Sequence, residues 1–234
     1  MKKVESKKVI YIVKDMIKET RDVSTLRIAM EDGTMPSFIP GQFLTLYLSE
    51  TTPEGKSYSI SSSPDDNTVS ITVKVMGEFS HKLNSMKVGD RIVASLPYGY
   101  FYSESKDSHL IIIVGGIGIA PFRSIILSNP NRNIDLYYSN RTVEDIIFKK
   151  ELDEIVKINK NIKVKYFVTR DKAKDKKIVN RRIEIKDVLG NIKTIKNKEF
   201  FICGGIAFVR DFWKKLCDAG VKEDAIYTEA FFSH

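Results

Sequence analysis

Cysteine is nearly absent: Cys203 and Cys217 are the only two in 234 residues. Two thiols make no disulfide framework, and they cannot supply the four ligands of an iron–sulfur cluster or a structural zinc site. The count suits a reducing compartment. Histidine is also scarce. His81, His109 and His234 form no cluster with metal-ligand spacing, so no metal site is expected. Long apolar runs are missing too. Leu110–Val114 is far too short to cross a bilayer, and the start Met1-Lys2-Lys3-Val4-Glu5 has no apolar stretch behind its lysines. Neither a membrane span nor a signal peptide is expected, and the expected address is the cytoplasm. There is no internal repeat and no low-complexity tract.

What is present is ordinary globular material, 42% hydrophobic and 29% charged, with a net charge of +8. A field of that sign attracts acidic proteins, phosphate-bearing cofactors or nucleic acid, and a lysine-rich soluble surface also produces it. The length suits one large domain or two small ones. Two rhythms favour two. Up to about Tyr102, short strands alternate with turns. Ser24–Met30, Gln42–Leu48, Val69–Val75 and Arg91–Leu96 are separated by Asp32-Gly33, Pro40-Gly41, Pro64-Asp65-Asp66-Asn67 and Val88-Gly89-Asp90. This spacing predicts a closed antiparallel β-barrel. After the polar stretch Ser103–Ser108, continuous apolar strands alternate with helical patterns. Leu110–Val114 precedes a helix from about Pro121, Ile134–Tyr138 a helix through Phe148, Leu152 and Ile155, and Phe200–Cys203 a helix carrying Phe208, Phe212 and Leu216. That alternation predicts an α/β domain with a parallel sheet covered on both faces. The domains are read as 1–104 and 105–234.

The second half carries Val114-Gly115-Gly116-Ile117-Gly118-Ile119-Ala120-Pro121, a buried strand running through glycines into a helix. Glycines allow a tight turn and close approach of a pyrophosphate, and the helix start offers amide hydrogens to its oxygens. Proline suits an early helical position, where no amide hydrogen is needed. A bare strand–helix turn fits the same letters. The next strand ends at Tyr138-Ser139-Asn140-Arg141, where an NAD-specific site often has an acid. A hydroxyl and a guanidinium suit a 2′-phosphate instead. Arg141 also fits a solvated loop.

The first half carries Pro40-Gly41-Gln42-Phe43, Lys56-Ser57-Tyr58-Ser59, and Gly77-Glu78-Phe79-Ser80. Singly these are turns, a barrel strand and a capped short helix. In order they continue with Gly89-Asp90, Pro97-Tyr98-Gly99, the Gly115–Pro121 loop, Cys203-Gly204 and Glu229-Ala230-Phe231. Along nearly the whole chain this series resembles the ferredoxin–NADP(+) reductase superfamily.

The resemblance implies a flavin-dependent oxidoreductase that moves hydride between NADPH (or NADH) and bound FAD. The electrons then pass to ferredoxin, flavodoxin or another acidic carrier, with no nucleic-acid partner. Tyr58 would pack on the isoalloxazine and Ser59 would hydrogen-bond near its N5. Lys56 and Ser57 would face the flavin phosphates, with Val73, Lys74, Gly77, Phe79 and Ser80 supplying the remaining contacts. Gly115, Gly116, Gly118, Pro121, Ser139, Arg141, Gly204 and Gly205 would hold the dinucleotide. Cys203 would lie beside nicotinamide C4, Glu229 would shape that pocket, and Phe231 would stack on the flavin. Three positions depart from the family pattern. Lys56 replaces an arginine, turning a planar clamp into a point charge. Ile117 replaces a hydroxyl residue, and Gly205 a proline. The sequence leaves two rivals open: a free-flavin or ferric-chelate reductase, and a non-catalytic flavoprotein subunit. The run Arg170–Lys177 fits either a docking site for an acidic carrier or a solvated loop. Cys217 reads as packing, and Trp213 as core or surface.

Overall fold

The computed structural model describes residues 7–231 except 53, 191 and 193. The chain forms two compact units. The first gathers the chain up to Tyr102 together with Ala120–Ser128, and the second takes Ser103–Ile119 and the chain from Asn129 on.

Six antiparallel strands build the first unit: β1 (Lys8–Thr20), β2 (Val23–Met30), β3 (Phe43–Tyr47), β4 (Gly55–Ser59), β5 (Val69–Lys74) and β6 (Arg91–Ser95). They lie in the order β4-β3-β6-β1-β2-β5. The two end strands meet through an Ile60–Ile71 bridge, so the sheet closes on itself as the alternation predicts. Every second side chain points inward. Tyr11, Val13, Leu26, Ile28, Leu44, Leu46, Ile71 and Val73 are thereby buried in one core. A short helix, α1 (Glu78–Asn84), sets Phe79 and Leu83 against this core.

The second unit is a parallel sheet of β7 (His109–Gly115), β8 (Ile134–Asn140), β9 (Ile162–Val168), β10 (Ile178–Val179), β11 (Lys198–Gly205) and β12 (Ile226–Phe231). The order is β10-β9-β8-β7-β11-β12. Its helices are α2 (Ile119–Ser128), of which Ala120–Ser128 belongs to the first unit, α3 (Lys149–Ile158), α4 (Ile185–Leu189) and α5 (Ile206–Asp218). The central strand β7 is buried from Leu110 to Val114, which explains its unbroken apolar run. From β7 the chain winds outward through β8 to β10, then returns to the other side of β7 with β11. The ends of β7 and β11 therefore flank the point where strand order reverses, the usual ligand crevice of such sheets.

Two helix starts differ from the sequence expectation. α2 begins at Ile119, after a 3₁₀ turn over Gly116–Gly118, so Pro121 sits inside its first turn. The first turn has no internal partners for its amides, and proline is tolerated there. Phe148 lies just outside α3, as an N-cap with a left-handed φ of 60°. Its amphipathic spacing matched the helix, but its backbone does not.

Candidate functional site

In the first unit the expected flavin residues gather on β4 and α1. Tyr58 is half-buried and stacks on Phe79, with ring centroids 6.2 Å apart and planes 19° from parallel. Burial pushes the Tyr58 phenol up to about 12, so it is neutral over the physiological range. Lys56 Nζ stands 5.7 Å from the centre of the same Phe79 ring. A cation and two aromatic faces thus converge, because Lys56 and Tyr58 are two apart on one strand and share a face. Ser57 points the other way, where its hydroxyl lies 3.2 Å from Thr45 Oγ1. Ser59 is buried at the end of β4, paired with Phe43 of the Pro40–Phe43 segment.

Beyond β5 the chain enters α1 through Gly77. Ser80 Oγ accepts the amides of Met76 and Gly77 at 2.8 and 3.1 Å and donates to the Gly77 carbonyl. Gly77 has extended backbone, which any residue could adopt, and a Cβ there would meet nothing within 4 Å. The surface above this residue is open enough for a ligand to approach the backbone closely. Val73 is buried in the core, and the Lys74 ammonium pairs with Asp22 at 3.2 Å.

In the second unit the expected dinucleotide residues meet at the carboxyl ends of the strands. Gly115 is paired with Ser139 across β7 and β8. Cys203 lies between Val114 on one side and Glu229 on the other, and Gly205 is paired with Phe231. Two glycines of the loop are required by the backbone. Gly116 has φ 56°, and a Cβ at Gly118 would stand 2.6 Å from the Cys203 carbonyl oxygen. The turn is therefore pressed against β11 while its other side stays open. Cys203 is fully buried. Burial first, then the Glu229 carboxylate, holds its thiol well above the ordinary value, so it is a neutral thiol and no nucleophile. Gly204 is buried beside it, and Gly205 is exposed. Arg141 is exposed just past β8, where its carbonyl accepts the amides of Thr169 and Arg170 at 3.1 and 2.8 Å.

Asn140, beside these residues, gave no sequence signal, and neither did a polar network at the opposite, amino ends of the strands. Asn140 is 6% exposed, and neither atom of its amide has a partner among the described residues. Arg132 joins the Ser103–Ser108 stretch to Glu199, 3.0 Å away, and Glu199 in turn accepts the Tyr227 hydroxyl at 3.0 Å. Tyr227 stacks on Phe201 and precedes Glu229 by two on β12. These hydrogen bonds link residues 24 to 67 apart in sequence, beyond the reach of any local pattern. Among the described residues no three of His, Cys, Asp and Glu are grouped to hold a metal ion, and no helix is long and apolar enough to cross a membrane. Trp213 is on the surface of α5, and Cys217 on the same helix is half-buried.

Comparison with known proteins gives two family matches. Residues 11–102 match the oxidoreductase FAD-binding domain, and residues 112–214 the oxidoreductase NAD-binding domain. Flavohemoprotein A of Dictyostelium discoideum is 28% identical over 94% of the chain, which covers 59% of that protein. The chain thus spans about three fifths of the length of the curated flavohemoproteins it matches. Two solved structures share the fold. The flavohem-like FAD/NAD binding domain of nitric oxide dioxygenase from Vibrio cholerae O1 biovar El Tor has a TM-score of 0.84 at 22% identity, over 95% of this chain and 98% of that one. A ferredoxin NADP+ reductase from Neisseria gonorrhoeae with bound FAD and NADP has a TM-score of 0.82 at 23% identity, over 97% and 100%.

Proposed function

Starting from the flavin-dependent NAD(P)H oxidoreductases of the ferredoxin–NADP(+) reductase superfamily, to which this chain belongs, we propose that the protein takes reducing equivalents from NADPH in preference to NADH and delivers them to a separate electron carrier. The observation that carries the flavin part is the convergence of Lys56 and Tyr58 on Phe79, beside the open backbone at Gly77. Bound FAD supplies hydride acceptance and the release of single electrons, and the chain supplies orientation and electrostatics.

Tyr58 offers a neutral aromatic face, and Ser59 a buried hydroxyl at the same strand end. Lys56 supplies one positive charge toward the flavin pyrophosphate, beside Phe79 on the helix that Gly77 and Ser80 begin, whereas Ser57, on the other face of β4, contributes through its backbone. Gly115, Gly116 and Gly118, with Pro121 in the first helical turn, receive the dinucleotide pyrophosphate. Ser139 and Arg141 receive the 2′-phosphate. Cys203 acts by shape, as a buried neutral thiol, and Gly204 and Gly205 give the strand end little bulk. Glu229 lines the nicotinamide pocket. By the same resemblance Phe231 would be the aromatic residue that gates access of the nicotinamide to the flavin.

Ferredoxin, flavodoxin or another acidic carrier is the proposed acceptor. A net charge of +8 and the exposed lysines of Arg170–Lys177 support that choice. The flavohemoprotein relatives support a second reading, in which the acceptor is a haem protein. The test compares reduction of an acidic ferredoxin, an acidic flavodoxin, a globin and a small neutral dye as ionic strength rises. Reduction of the acidic carrier is expected to slow with salt while the dye is unaffected. Equal salt responses contradict docking through charge, and reduction of the globin alone moves the acceptor to the second reading.

A further inference from the structure

Tyr138 has no exposed surface, yet its hydroxyl joins two backbone segments that are distant in sequence. It donates to the carbonyl oxygen of Gly116 at 3.1 Å and accepts the amide of Ile147 at 3.2 Å. Gly116 begins the glycine turn after β7. Ile147 lies near the end of the irregular segment that runs from Arg141 to α3. Side-chain acceptors hold that segment in place. The Asp145 carboxylate takes the Thr142 amide at 3.0 Å, and the Asp171 carboxylate takes the Val143 amide at 3.2 Å. At the far end Phe148 is left-handed, an uncommon conformation for a bulky residue that only surrounding contacts can maintain. Of these three acceptors, the Tyr138 hydroxyl is the one that also reaches the glycine turn.

The bond to Gly116 has a directional consequence. In a planar trans peptide the carbonyl and the following amide hydrogen point to opposite sides. A Gly116 carbonyl drawn toward the buried phenol turns the Ile117 amide the other way. The space beside the Gly116 α-carbon is open, since a Cβ there would meet nothing within 4 Å.

We propose that Tyr138 is a positioning residue that fixes the glycine turn and the Arg141 segment relative to each other, so that one dinucleotide spans both. The proposal rests on the reading of Gly115–Gly118 and Arg141 as dinucleotide contacts. Tyr138 touches neither the nicotinamide nor the 2′-phosphate in this role. Its loss therefore weakens NADPH and NADH alike and leaves turnover at saturation intact.

Tyr138→Phe keeps the ring and removes the bridging oxygen. In the FAD-loaded full chain, binding of NADPH, NADH and 2′-AMP is titrated for the parent, for Tyr138→Phe and for Arg141→Ala. Tyr138→Phe is expected to weaken both dinucleotides about tenfold, which is about 1.4 kcal/mol. The fragment 2′-AMP reaches only the Arg141 segment, and its loss is expected to stay below about threefold. With the neutral dye as acceptor, KM for NADPH rises and kcat stays within about twofold. Unchanged dinucleotide affinity overturns the proposal. So does an equal loss for 2′-AMP, which would mean local loosening rather than a link. Arg141→Ala tests the underlying reading separately, because it should weaken NADPH and 2′-AMP and spare NADH. If it changes none of the three, that reading fails whatever Tyr138→Phe shows. Should Tyr138→Phe not fold, hydrogen exchange at the Ile147 amide of the parent decides the matter. NADP+ is expected to slow it about tenfold, and no change overturns the link.

Discussion

Arg141 shows what one residue contributes to the choice of cofactor. It is exposed, and its side chain makes no hydrogen bond or ion pair with the described residues, so its guanidinium is not already neutralised. A hydrogen bond to a charged group contributes about 1.5–3 kcal/mol. Arg141→Ala is therefore expected to weaken NADPH roughly tenfold to a hundredfold and to leave NADH nearly unchanged, measured by titration of the flavin spectrum. Equal losses for both cofactors would show that Arg141 does not read the 2′-phosphate. At this scale the sequence was informative about residue type and silent about surroundings. Lys56, Tyr58 and Phe79 could be named from ordered motifs, but not their convergence on one ring. Cys203 could be named, but not its burial, which makes it a neutral space-filler. Asn140, Asp145 and Tyr138 stand beside the named residues in sequence, and their types carry no pattern that distinguishes a bridge from ordinary core or loop.

Among the elements, α4 illustrates how a short helix is held in place. Five residues are too few to be stable alone. Asp187 compensates: its side chain is 5% exposed and accepts both ends of the Arg181 guanidinium, at 2.6 and 2.7 Å. It also accepts the Glu184 amide at 2.9 Å, which caps the helix, and Lys165 Nζ at 3.3 Å. Arg181 foremost holds the Asp187 carboxyl far below the usual carboxylate range. A depressed carboxyl pKa stabilises the fold at pH values above its unfolded value, about 3.9, and that contribution is lost as pH falls through the folded value. Asp187→Ala is expected to cost about 1.5–3 kcal/mol at pH 7, toward the lower end because Arg181 is 39% exposed. Urea unfolding at several pH values checks this. The difference from the parent should shrink progressively below about pH 4, and a constant gap down to pH 2 contradicts the assignment.

The same scale explains which elements were legible. β7 was, because a central parallel strand is apolar along its buried run, and β8 was, through Leu136, Tyr137 and Tyr138. β2 and β5 were, because a barrel strand alternates. β12 was not: it is an edge strand, half-buried along most of its length, so neither signature develops. α4 and β10 are too short for a period to register, whereas α1, also short, was read from its cap at Gly77 and Ser80. α2 was displaced by two residues because the proline marks the first turn, and the turn itself had already begun.

For the whole molecule, the order of motifs along the chain said more than any one of them. Each unit brings its own set of expected residues together: Lys56, Tyr58 and Phe79 in the first, and Gly115, Ser139, Cys203 and Glu229 in the second. The most direct measurement is an anaerobic titration of the FAD-loaded protein with NADPH and then NADH, following the visible flavin band. Stoichiometric bleaching by NADPH, faster than by NADH, is the expected result. Protein that takes up no FAD, or whose bound FAD is bleached by neither nucleotide, would contradict its assignment as a flavin-dependent NAD(P)H oxidoreductase.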